Sequence, residues 1–268
     1  MALTEKGAGG RQPRHVPNLG IQLSPNRFRT SLSPSFIHFF TFPGEAEARR
    51  GGQELRKEKF EFDVVLTSVL KRAICTAHLA MDELDQLWVP FTKDWRLNER
   101  HYGALTGLNK AETAEKMGEE QVKLWRRSYD IPPPPMEETH EYAMQNDRRY
   151  AHLASSEIPR TEALDSTVAR VLPWWEGVAE PLLRSGQRPI VVAHGNSLRA
   201  LVKHLDGISN EDIIGINIPT GVPLVYELDD DLKPIEKAPP GKLSGKYLGD
   251  PEQIAREAAE VAKQASKK

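Results

Sequence analysis

Residues 190–196 read Ile-Val-Val-Ala-His-Gly-Asn, and helical spacing follows through Leu205. An apolar strand would place His194 at its carboxyl end, the edge at which open α/β sheets hold their ligands. Gly195 lets backbone approach an anion, and the free N–H groups of a helix beginning at Asn196 point at the same place. This corner suits phosphate. The segment Thr67-Ser68-Val69-Leu70-Lys71-Arg72-Ala73 repeats the logic after the apolar run Phe62–Leu66. Strand, turn and helix set Arg72 in a first helical turn on the same sheet edge, where a guanidinium forks two oxygens of a phosphate. An ordinary surface arginine fits that position as well.

Two further clusters carry chemistry. Trp95–Gly103 packs Arg96, Glu99, Arg100, His101 and Tyr102 into a stretch without periodicity. Glu99 is a candidate proton donor and acceptor there, and Arg100 and Tyr102 are candidate substrate contacts; a surface ion-pair cluster is the plainer reading. Arg126 and Arg127 stand side by side at a helix end, with Lys110 upstream. Neighbouring helical residues point about 100° apart, so a bound anion would use both, whereas a solvated basic turn needs no ligand. The eight histidines are scattered, without His-x-x-x-His or Cys/His spacing, which argues against a metal site.

The elements that must position these residues alternate. Helical patterns at Gly44–Lys59, Ser68–Asp85, Lys110–Met117, Glu119–Ser128, Asp165–Arg184 and Asn196–Leu205 are interleaved with strands at Phe62–Leu66, Pro189–Ala193 and Pro223–Leu228. Strands separated by helices predict βαβ crossovers. The expected fold is therefore α/β, a doubly wound, mostly parallel sheet with helices on both faces. The 268 residues divide into a basic segment 1–43, with five Lys/Arg against one Asp/Glu, a body over 44–237, and a tail over 238–268. The first segment reads as a disordered leader, the last as a loop followed by an exposed helix. A net charge of −2 gives no pull toward nucleic acid or anionic membrane. The longest apolar stretch, Phe36–Phe42, is far too short to cross a bilayer. Cys75 is the single cysteine, which suits a reducing, cytoplasmic compartment.

Six of these stretches together resemble the cofactor-dependent phosphoglycerate mutases of the histidine phosphatase superfamily. They are Thr67–Ala73, Arg96–Leu105, Gly107–Thr113, Trp125–Asp130, Ala193–Ala200 and Asn217–Glu227. The resemblance runs from about Gly44 to the C-terminus. It implies interconversion of 3-phosphoglycerate and 2-phosphoglycerate, primed by 2,3-bisphosphoglycerate, without metal. It makes Glu99 the acid/base and has His194 hydrogen-bond the group in transfer. Arg72, Gly195 and Asn196 would contact that group too, while Arg100, His101, Tyr102, Lys110, Arg126 and Arg127 would hold the rest of a small phosphorylated substrate. Arg72, Glu99, Tyr102, Lys110, Arg126, Arg127 and His194 should then meet in one cleft. The resemblance also implies a C-terminal tail that closes over the site and the possibility of a homo-oligomer.

The family's opening Arg-His-Gly-Glu, whose histidine carries the phosphoryl group, is not reproduced before Gly44. Arg14-His15 continues as Val16-Pro17 and lacks a preceding apolar strand. His38 lies within Phe36–Phe42, which runs almost directly into the helix at Gly44. Two readings remain: an ordinary mutase with an altered start, or an impaired or truncated homologue that binds phosphorylated ligands without turnover. Either Phe36–Phe42 fills the family's central strand position imperfectly, or the protein is marginal and aggregation-prone.

Overall fold

The computed structural model describes residues 35–41, 44–109, 113, 115 and 117–266. Strand β4 (Pro189–Ala193) is wholly buried. It pairs in parallel with β2 (Val64–Thr67) on one side and β1 (Ser35–Thr41) on the other. Strand β3 (Phe91–Lys93) joins β2 in parallel at the edge. Beyond β1 the sheet turns antiparallel through β5 (Leu224–Leu228) and β6 (Lys246–Tyr247), giving the order β3-β2-β4-β1-β5-β6.

Alternate side chains of the inner strands enter two cores, as a sheet covered on both faces requires. Val64, Leu66, Val191 and Ala193 face one core, and Val65, Ile190 and Val192 face the other. The first core is covered by α4 (Leu164–Trp174) and α6 (Gly195–Asp206). The stretch expected as one helix over Asp165–Arg184 is instead α4, a π turn at Trp175–Ala179, and α5 (Glu180–Arg184). Pro173 and Pro181 lie on either side of that turn, and each lacks the N–H a continuous helix would use. The second core is covered by α1 (Glu45–Lys57) and α2 (Lys71–Glu83). Two further helices, α3 (Glu119–Arg127) and α7 (Pro251–Ser266), complete the set used below.

The sheet begins earlier than the boundary expected at residue 44. Strand β1 comes from the segment read as a leader and takes the central position in continuous register, with His38 opposite Ile190 and Thr41 opposite Ala193. The expectation of imperfect filling is corrected on this point: both edges of β1 are paired. The tail likewise contributes β6 to the sheet. Most of the helix expected at Lys110–Met117 lies outside the described residues. No helix among the described residues is long and apolar enough to cross a membrane.

Helices α1 and α2 approach closely at Gly52. A Cβ there would lie 2.6 Å from the Ala80 carbonyl oxygen and 2.9 Å from its Cα. Gly52→Ala should therefore destabilise the fold by about 1–3 kcal/mol in urea unfolding, because backbone overlap outweighs the gain of about 1 kcal/mol in helix propensity. Unchanged or increased stability would mean the two helices separate without cost.

Candidate active site at the sheet's carboxyl edge

Because β2, β3 and β4 are parallel, the segments that follow them leave the sheet at one edge. His194 follows β4, Ser68 and Arg72 follow β2, and Glu99 follows β3. His194 caps α6 in extended conformation. Its N–H donates to the Ser197 hydroxyl, which donates back to the His194 carbonyl. His194 is 2% exposed.

Arg72 fixes the tautomer. A guanidinium has no acceptor, so its Nε, 3.1 Å from His194 Nδ1, must donate. The neutral ring then carries its proton on Nε2, which lies 2.8 Å from Ser68 Oγ and donates to it. Burial pushes His194 down to about 4, helped by Arg72 and Arg170 and opposed by Glu99.

Glu99 faces this ring. Burial alone would raise its carboxyl; His194, the Asn196 amide, the Arg100 N–H and Arg72 together hold it below the ordinary range. Asn196 Nδ2 donates to Glu99 Oε1 at 2.7 Å and to the Tyr102 hydroxyl at 3.2 Å. Arg100 N donates to the same carboxylate oxygen at 2.7 Å. At neutral pH the pair is thus an ionised carboxylate beside a neutral imidazole.

Tyr102 is flanked by two cations, with Arg100 4.7 Å and Arg126 5.3 Å from its ring centre. Arg127 diverges from its neighbour, as the helical angle requires, and its Nη2 lies 3.5 Å from the Ala262 carbonyl of α7. The C-terminal helix, tied to α1 by Arg50–Glu257 at 3.2 Å, therefore reaches the site. His101 lines the cavity, with Nδ1 accepting from Gly103 N at 3.0 Å. A Cβ on Gly195 would meet nothing within 4 Å, which leaves open space beside the start of α6. Lys110 and His15 lie outside the described residues. Arg72, Glu99, Arg100, His101 and Tyr102 line a cavity of about 730 Å³. Tyr142, Arg148 and Tyr150 also line it, none of which the sequence reading singled out. Among the described residues no cluster of His, Cys, Asp and Glu could hold a metal ion.

The loop that carries Glu99 is held by a device the sequence did not reveal. Arg170 of α4 and Glu162 form a buried ion pair at 2.6 Å. The remaining Arg170 donors reach the carbonyls of Arg96, Asn98 and Glu99, and Glu162 Oε2 accepts from His101 N at 2.7 Å. Asn98 adds a second tie, accepting from Val69 N at 3.2 Å and donating to Tyr150 at 2.9 Å. Gly103 closes the segment at φ +55°, with the Pro134 carbonyl where a Cβ would sit.

The family model of the histidine phosphatase superfamily (branch 1) matches residues 41–144 and 136–237. Solved structures share the fold. The alpha-ribazole phosphatase of Shigella flexneri is 17% identical, with TM-score 0.52, over 80% of this chain and 96% of its own. A mycobacterial glucosyl-3-phosphoglycerate phosphatase in complex with vanadate is 14% identical, with TM-score 0.55, over 80% and 96%. Bacillus stearothermophilus YhfR is 14% identical, with TM-score 0.52, over 77% and 99%.

Two outcomes follow from this geometry. Arg170→Met leaves Glu162 buried without its cation and should cost about 3–5 kcal/mol in urea unfolding, while Arg170→Met with Glu162→Leu should cost less. Equal losses in the single and double variants would mean the pair does not act as a unit. The second outcome concerns acid. Above about 6.5 His194 is neutral in both folded and unfolded chains. Between about 6.5 and about 4 only the unfolded chain takes up the proton, so stability falls as pH drops through that window. The loss from this residue approaches roughly 3 kcal/mol near pH 4. Unfolding at pH 7 and pH 4.5 should show a smaller difference in His194→Asn; an equal difference places the acid sensitivity elsewhere.

Proposed function

The chain belongs to branch 1 of the histidine phosphatase superfamily, and from that premise we propose that it is a phosphoglycerate mutase-type protein acting on 3-phosphoglycerate and 2-phosphoglycerate with 2,3-bisphosphoglycerate as primer. The observation that carries this reading is the pairing of Glu99 with Asn196 beside His194 and Arg72, with Asn196 also joined to Tyr102, whose ring has Arg100 and Arg126 close by. One half holds the Arg72 guanidinium and a neutral imidazole whose N–H rests on Ser68 Oγ, where an incoming phosphoryl oxygen would take over that N–H. The other half offers cations to a carboxylate.

In the reaction, a histidine nitrogen primed by 2,3-bisphosphoglycerate gives its phosphoryl group to the free hydroxyl of a monophosphoglycerate. It then takes the phosphoryl group from the other oxygen of the bisphosphoglycerate so formed, which leaves as the isomer. Glu99, ionised at neutral pH, takes the proton of the hydroxyl being phosphorylated and returns it to the oxygen being released. His194 and Arg72 stabilise charge on the group in flight, and water-poor surroundings strengthen both contacts. The fixed geometry supplies the rest by positioning.

Binding without turnover is a second reading, favoured by the register of β1. His38 pairs opposite Ile190, four residues short of His194, and Thr41 stands opposite Ala193. At about 3.3 Å per residue, His38 lies roughly 13 Å from the sheet edge where transfer would occur. No described residue of β1 brings a histidine to that edge.

Calorimetry, intact mass and a coupled assay separate the readings. 3-Phosphoglycerate should bind at low salt, and Arg126→Ala with Arg127→Ala should weaken it at least tenfold, since each charge-assisted contact is worth about 1.5–3 kcal/mol. Gain of one phosphoryl group from 2,3-bisphosphoglycerate, together with isomerisation, establishes the mutase. Binding without mass gain establishes the second reading. Release of inorganic phosphate assigns a phosphatase instead, as in the solved relatives, and absence of binding removes all three.

A further inference from the structure

Arg199 lies one helical turn beyond Asn196 on α6 and has no role in the reading above. Its Nη1 donates to Asn196 Oδ1 at 3.0 Å, and its Nη2 donates to the Ile213 carbonyl at 2.6 Å. Its Nε is buried without a hydrogen-bond partner. Burial, then Arg100 and Arg127, push this guanidinium down to about 10. A cation kept among other cations with one donor unused is costly for stability alone.

The geometry shows what the residue does. The Asn196 amide has two faces of opposite polarity. Its oxygen is taken by Arg199, so its NH2 must face Glu99 Oε1 at 2.7 Å and Tyr102 at 3.2 Å. Reversed, the amide would set its oxygen against the Glu99 carboxylate and its NH2 against the guanidinium, two repulsive contacts. The backbone bond to Ile213 holds Arg199 from the far side and leaves the fork one orientation.

We propose that Arg199 is a positioning residue that acts through Asn196, locking the amide so that it donates to Glu99 and keeps that carboxylate oriented and ionised. The proposal deepens the assignment of Glu99 as the acid/base group and rests on that reading. Other charged and titratable groups near Glu99 are His194 at the start of α6, Arg72 of α2, Arg170 of α4, whose Nη2 donates to the Glu99 carbonyl at 3.3 Å, and Tyr102 of its own loop; the Arg100 backbone N–H also donates to the carboxylate.

The test is the titration of Glu99, followed by NMR of carboxyl-labelled glutamate in the full chain and assigned with Glu99→Gln. Arg199→Met should raise the Glu99 midpoint by about one pH unit, as should Asn196→Leu. In the Asn196→Leu background, Arg199→Met should add little. An equal rise in both backgrounds would overturn the proposal, because it would show direct action of charge; so would no rise in either. If Arg199→Met does not fold, Arg199→Gln in the same two backgrounds answers the same question, since the comparison is between backgrounds. Titration of 3-phosphoglycerate into the unaltered chain separates the two claims. Coupling through Asn196 without ligand binding removes the functional reading and leaves the role of Arg199 standing.

Discussion

Strand β4 is hydrogen-bonded along both edges and buried on both faces. Any shift of one residue in its pairing would exchange Val191 and Ala193 with Ile190 and Val192 between two cores of different shape. That constraint fixes where β4 stops, and where it stops is where His194 begins. The parallel partners inherit the same edge. Everything with chemical capacity is then a matter of short turns leaving one line of strand ends.

Around that edge the protein tolerates unfavourable electrostatics. Arg100 and Arg199 each keep a buried, unpartnered Nε, and Arg127 is pushed below its ordinary range by burial. Two other arginines are matched. Arg170 uses its fork on Glu162 and on three carbonyls, and Arg188 bridges Asp63 and Glu61. The contrast separates the two kinds of arginine in this chain. Arg170 and Arg188 find carboxylates within the chain, while Arg100 and Arg199 are left partly unanswered.

Most of the residues that meet at the edge were legible because each sits just after a strand or in an aperiodic, charge-rich segment. Arg72 and His194 could be placed on one side of the sheet from βαβ order alone, whereas Glu99 and Tyr102 were brought there only by the family resemblance. Glu162 and Arg170 could not. Eight residues apart near the start of an amphipathic helix, they look like surface charges, and their partners at 96–101 are about sixty to seventy residues away. The cavity wall at 142–150 was hidden for another reason: its short 3₁₀ turns have no apolar period. Strands β3 and β6, with three and two residues, are too short to carry a pattern. Strand β1 was visible as an apolar run, but its central place depends on partners far along the chain, which no local signal encodes.

The pairing of β1 also bears on how the chain is made. It is the first described element to be synthesised, yet its partners are residues 190–193 and 224–228. Its backbone groups find those partners only after most of the polypeptide has left the ribosome. Helices α1 and α2 can pack on each other early, since their contacts are local in sequence. The middle of the sheet can close only once those partners have emerged, and closing it carries a large loop entropy. Until then an apolar segment waits unpaired, so the yield of native protein during synthesis is set by how well that segment is kept from other strands.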